Sequence, residues 1–166
     1  IGKSVCDEGY KNLVGEILKK SETHNCKIYY PLDVVVSKKL DGNGVIKEIN
    51  EVDNDEMILD IGPKTITSIK NIINESNTIL WNGPAGYFEN PNFANGTKNI
   101  LDVITNKRIK DEIYTVAGGG ETVAVINKFN KLDTFNFVST AGGAFLEYLE
   151  GKELPGIKAL NWNVRT

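Results

Sequence analysis

Histidine is nearly absent from this 166-residue chain. The one instance, His24, sits in a polar stretch, so a mechanism built on histidine acid–base transfer is not expected. Cysteine is almost as scarce. Cys6 and Cys26 lie far apart with no histidine pattern around them. That spacing fits no zinc motif, and two residues are too few for a disulfide scaffold, so both read as reduced thiols of a cytoplasmic protein. Long apolar runs are missing: none approaches the roughly 18 residues that a membrane span needs. The opening residues, IGKSVCDEGY, lack the apolar stretch of a signal peptide. There is no basic stripe, and the net charge of −3 argues against nucleic acid as a partner. No GxGxxG fingerprint and no glycine loop ending in GK[ST] occurs. Neither a nucleophilic triad nor a carboxylate pair at useful spacing is visible, nor is any tandem repeat or low-complexity linker. The length suits one domain, or a piece of one.

Against these absences stands the segment 113–127, IYTVAGGGETVAVIN. An apolar, β-branched run enters three glycines, Gly118, Gly119 and Gly120, and leaves them with helical spacing. A strand passing through a glycine turn into a helix start aims backbone N–H groups at one point, where the helix dipole also favours negative charge. Phosphate is the commonest occupant of such a turn. A tight turn that simply needs glycine is the plain alternative. Glu121 suits a helix first turn, or a magnesium ion carried by phosphates. Thr122 is either a helix-start hydroxyl or a phosphate donor. The same grammar recurs at 134–150, TFNFVSTAGGAFLEYLE, where Ser139 or Thr140 caps a helix or the turn at Gly142 and Gly143 offers donors to a phosphoryl group. The segment 79–90, ILWNGPAGYFEN, is the most unusual string. It is an ordered loop with buried aromatics, or one in which Tyr87 and Pro84 flank a base or sugar while Glu89 accepts from ribose hydroxyls.

Apolar spacing places helices over 7–20, 64–75 and 95–106, with Tyr10, Leu13, Val14, Ile17 and Leu18 on one face of the first. Strands are expected at 27–30, at 32–37 as a buried β-branched run, at 45–52 as an exposed edge, at 57–61 and at 78–81. Asp41 to Gly44, DGNG, is a hairpin or surface excursion. Leu154, Pro155 and Gly156 end the last helix. This alternation predicts a three-layer α/β fold, a mostly parallel Rossmann-like sheet with helices on both faces. Ligands of such sheets bind at the carboxyl ends of the strands.

Taken in order, YYPLDVVVSKK, LDIGPKT, WNGPAGYFE, Phe93 to Thr97, AGGGETVA and STAGGAFLEYLEGKELPGI resemble phosphoglycerate kinase from Gly2 to about Leu160. The resemblance is to the C-terminal, nucleotide-binding part of a two-domain kinase. It implies that residues 1–166 are an incomplete C-terminal domain, without the N-terminal substrate domain and without the first part of its own. It implies phosphoryl transfer between 1,3-bisphosphoglycerate and ADP, giving 3-phosphoglycerate and ATP with Mg2+, in the cytoplasm. Carried over by residue, Leu59 touches the adenine and Glu89 holds the ribose. Asn82, Pro84 and Gly86 line the nucleotide, and Gly118, Gly119, Gly120, Glu121 and Thr122 hold phosphates and magnesium. Gly142 and Gly143 face the moving phosphoryl group. Glu121 stands where the family usually has aspartate, Ile58 replaces a glycine before Leu59, and Tyr87 replaces a smaller apolar residue; the last two crowd the adenine pocket. The terminal NWNVRT matches nothing in the family pattern. The family's cationic groups on the transferring oxygens come from segments outside this sequence, so the chain alone is expected to be inactive. A non-catalytic nucleotide-binding module and an inert α/β relic are the alternatives. Members of the family are usually monomers, whereas an exposed sheet edge here would favour self-association.

Overall fold

The structure, a computed structural model, describes residues 1–6, 8–110 and 113–160. Contacts divide the chain into two units. The first comprises Ile1–Ile69 and Ala85–Lys98; the second comprises Lys70–Pro84 and the described residues from Asn99 onward.

In the first unit the chain passes through a single helical turn, Glu8–Tyr10, into α1 (Lys11–Thr23). The expected helix start at Asp7 lies outside the described residues. Leu13, Val14, Ile17 and Leu18 of α1 are all exposed. The strand expected at 27–30 does not form. Tyr29 and Tyr30 are exposed and no ladder partner lies beside them among the described residues, and an apolar, aromatic run becomes a strand only where a neighbour completes its hydrogen bonds.

A sheet of order β2-β1-β3 follows, made of β1 (Asp33–Ser37), β2 (Val45–Glu48) and β3 (Met57–Ile61). The burial expected for 32–37 holds only over β1: Val34 and Val36 are in the core with Asp33 and Ser37, Val35 is half-buried, and Leu32 is exposed. Both pairings of β1 are antiparallel, so these three strands are the part of the mostly parallel expectation that runs the other way. The turn at Asp41 to Gly44 makes β1 and β2 a hairpin, which forces antiparallel pairing.

Two buried aspartates in this unit hold helix starts. Asp33 accepts from the N–H groups of Lys64 and Thr65 at 3.0 and 2.8 Å, at the first turn of α2 (Pro63–Glu75), and from the Thr65 hydroxyl at 2.7 Å. Burial pushes its carboxyl up, but these bonds and the Lys64 charge outweigh burial and hold it below the ordinary carboxylate value. Asp60 accepts from the N–H of Gly96 at 2.8 Å, at the start of α3 (Asn95–Lys110). Its carboxyl is raised by burial despite the backbone bonds. The core closes with Leu59, Ile61, Ile66, Phe88 and Phe93.

The second unit holds the parallel sheet, of order β4-β5-β6: β4 (Thr78–Asn82), β5 (Tyr114–Gly118) and β6 (Phe137–Ser139). Ile79, Trp81, Leu101, Ile104, Ala117, Val125, Ile126 and Phe135 are buried, and Trp81 stacks on Phe135 with ring centroids 6.3 Å apart. β5 feeds α4 (Gly120–Lys128) and β6 feeds α5 (Gly143–Leu149). Pro155, expected to end a helix, instead starts α6 (Pro155–Ala159), where its missing N–H costs nothing. The α/β class expected from the sequence holds, with parallel order confined to these three strands.

Candidate functional site

The three parallel strands end side by side. Asn82 pairs in register with Gly118, and Gly118 with Ser139. The turns that follow, at Gly83 and Pro84, at Gly119 and Gly120, and at Ala141 and Gly142, therefore leave one edge of one sheet at the carboxyl ends of its strands. This is the edge at which open parallel sheets take ligands.

Gly119 sits at the cap of α4 with φ 93°, a left-handed value that glycine adopts without strain. No side chain caps that helix, and Glu121 lies exposed in its first turn. Thr122 is fully buried, and its hydroxyl accepts the Gly83 N–H at 2.6 Å. The hydroxyl thus couples the β4 turn to α4, a role that neither sequence reading of Thr122 named. At the third turn, Gly142 caps α5 with φ 56° and Gly143 opens the helix. Ser139 accepts from Ala141 N–H at 3.3 Å, within the turn rather than at the helix start.

Phe145, which sequence reading passed over, lies against Gly118; a Cβ at Gly118 would collide with its ring. This contact joins the second and third turns. Only the aromatic at the third position of α5 hinted at it.

Leu59, Gly86 and Glu89 belong to the first unit, while Asn82, Pro84 and the two glycine turns belong to the second. Within the first unit the backbone N–H of Tyr87 donates to the Leu59 carbonyl at 2.8 Å, so the loop carrying Gly86 and Glu89 is fastened to the middle of β3. Asp60 lies behind Gly86, 2.5 Å from where a Cβ would stand, and Thr97 accepts from Ala85 N–H at 3.0 Å. Asp60 and Thr97 fall inside the quoted strings, yet their partners are dozens of residues or a whole loop away, which hides such a role from sequence. Asn90 donates to the Leu40 carbonyl at 2.7 Å. Glu89 itself is exposed.

Beside Leu59 opens a cleft of about 460 Å³, lined by Ile1, Lys3, Ser4, Val5, Leu40, Met57, Ile58 and Leu59. Its size and mostly apolar lining suit a flat ring system with a few polar atoms. Ile58 forms part of its wall. Among the described residues no three of His, Cys, Asp and Glu gather to cage a metal ion, and no helix is long and apolar enough to cross a membrane.

The chain is thus an α/β chain with glycine turns at the carboxyl edge of a parallel sheet. The family model of phosphoglycerate kinase matches residues 1–152. A phosphoglycerate kinase of Zymomonas mobilis is 44% identical over 162 residues, covering 96% of this chain and 41% of the relative. One of Francisella philomiragia is 46% identical, with 96% and 40% covered. The solved phosphoglycerate kinase of Coxiella burnetii superposes with a TM-score of 0.87 at 40% identity, over 96% of this chain and 41% of that one. That of Pyrococcus horikoshii gives 0.74 at 28%, over 93% and 37%. The chain belongs to the phosphoglycerate kinase family. It spans about two fifths of the length of the relatives it matches.

Proposed function

We propose that this chain is the nucleotide-binding part of a phosphoglycerate kinase. The whole enzyme would move a phosphoryl group between 1,3-bisphosphoglycerate and ADP to give 3-phosphoglycerate and ATP, in the cytoplasm. The observation that carries the reading is the in-register ending of β4, β5 and β6 at Asn82, Gly118 and Ser139. In this reading Leu59 contacts the adenine in the cleft beside it, and Glu89 accepts from the ribose hydroxyls. Asn82, Pro84 and Gly86 border the nucleotide, and the backbone N–H groups at Gly118, Gly119, Gly120 and Thr122 hold its phosphates. Gly142 and Gly143 turn backbone donors to the transferring phosphoryl group.

The donor set fits Mg2+ that arrives with the nucleotide. A hard cation bound to phosphates needs only one or two carboxylates plus water, and Glu121 is exposed on the first turn of α4. When bound, the ion neutralises charge on the phosphate oxygens. This chain's own residues supply position: a helix start free of side-chain caps, a turn fixed by Thr122, and a carboxylate within the same helical turn. Phosphoryl transfer also needs cations on the moving oxygens. The chain therefore binds nucleotide without turnover unless the remainder of the enzyme is present.

Calorimetry with MgADP tests the reading. Binding by the wild-type chain is expected, as is restored ATP formation on mixing with the complementary part of a family member. Glu89→Ala removes a charge-assisted hydrogen bond, which contributes about 1.5–3 kcal/mol, so the dissociation constant should rise by roughly ten- to a hundredfold. No heat and no shift in melting at millimolar MgADP would leave the fold as an inert relic.

A further inference from the structure

The cleft beside Leu59 has one wall that comes from far away in sequence. Lys3 N–H donates to the Glu56 carbonyl at 2.7 Å, and Ser4 accepts the Ile58 N–H at 2.8 Å. Gly2, at φ 54°, lies flat on the turn from Asp53 to Glu56; a Cβ there would collide with the carbonyls of both residues. That turn is itself held from inside. Lys47 on β2 reaches Asp53 at 2.7 Å and Glu56 at 2.9 Å, and the same Glu56 oxygen accepts the Asp53 N–H at 3.0 Å. The Glu56 side chain is 9% exposed and that of Lys47 22%. A carboxylate so little hydrated needs its partner charge. The hydrogen bonds to Asp53 and Glu56 push the Lys47 ammonium up to about 12, so Lys47 stays charged at neutral pH.

We infer that Lys47, Asp53 and Glu56 form a positioning device for the cleft. They shape the turn on which residues 1–4 rest, and through that wall they set the cleft's affinity for a nucleoside. Lys47 does not line the cleft. The inference rests on the proposed adenine site. It adds that a charge on β2, outside the site, tunes the grip on the base.

Adenosine and inorganic pyrophosphate, titrated separately into the chain by calorimetry, distinguish the two readings. Adenosine reports on the cleft and pyrophosphate on the glycine turns. Lys47→Met should weaken adenosine about tenfold and leave pyrophosphate unchanged. Lys47→Arg should restore adenosine binding. Lys38→Met, which removes the exposed Lys38–Asp55 pair, should change neither. A folded Lys47→Met chain with wild-type adenosine affinity overturns the inference. If Lys47→Met fails to fold, Gly2→Ala acts on the wall alone and must weaken adenosine; unchanged affinity there overturns it equally. A wild-type chain that binds pyrophosphate but no adenosine removes the adenine site, and the inference falls with it.

Discussion

Replacing Thr122 by valine isolates one buried hydroxyl. The side chain is fully buried and its oxygen accepts the Gly83 N–H at 2.6 Å. Valine has nearly the same shape, so no cavity opens; what changes is that a half-buried donor loses its acceptor. Such a loss costs about 1–3 kcal/mol, and because water reaches Gly83 the lower half of that range is expected. Serine keeps the hydroxyl but gives up one buried methyl group, at about 1 kcal/mol. Stability alone would therefore hardly separate the two variants. Binding should. With valine the turn after β4 is no longer tied to α4, so affinity for MgADP falls; with serine the tie persists and affinity stays. Urea unfolding with an unchanged slope gives the stability difference, and calorimetry gives the affinity. A valine variant with the wild-type midpoint and the wild-type dissociation constant would refute the coupling of the two turns through this hydroxyl.

Gly118→Ala drives a methyl group into the Phe145 ring. Overpacking of this kind costs about 1–3 kcal/mol, read as a lower melting temperature, and Phe145→Leu in the same chain should recover part of it; an unaltered melt would mean that the ring does not rest there. Asp33 supplies an acid-dependent component of stability. Its carboxyl lies below the ordinary value when folded, so the stabilisation is complete above about pH 4 and is lost as pH falls through the folded value. Asp33→Asn should lower stability at pH 7 and flatten the acid limb of a denaturation series, and an acid limb as steep as wild type would contradict the assignment.

What the sequence discloses depends on how far apart the partners are. β5 and α4 are legible because strand, turn and helix are consecutive, and Ile66 and Ile73 betray the inner face of α2 at helical spacing. The β-branched run at β1 announces burial but not direction. Its neighbours are set by the hairpin turn, which the DGNG signal announces, and by β3, which lies farther along the chain and leaves no local mark of its antiparallel direction. Residues 27–30 have strand composition and no ladder partner among the described residues. Pro155 carries the same signal at a helix end and at a helix start, and only the following turn decides. In the candidate site the glycines and Glu121 stand out, because they are consecutive in sequence at a strand-to-helix turn. Asp60 is 36 residues from the Gly96 N–H that it accepts, and Lys47 acts on residues 1–4 through Glu56. Such links are made by the fold and leave no local pattern.

The glycines themselves separate packing from ligand. Gly86 and Gly118 have no room for a side chain, since Asp60 and Phe145 occupy the space. Their presence says nothing about a bound phosphate. Gly120 and Gly143 differ: a Cβ on either meets nothing within 4 Å, and neither has a positive φ. Both open a helix, where alanine is the better residue and would stabilise the chain by about 0.4–1 kcal/mol. The fold thus forgoes stability at the two positions that follow the turns of the candidate site. If a phosphate must approach the backbone there, Gly120→Ala should melt above wild type and bind pyrophosphate more weakly. A variant that gains stability at undiminished affinity would show that the open space serves no ligand, and the case for these turns as phosphate holders would rest on Gly119 and Gly142 alone.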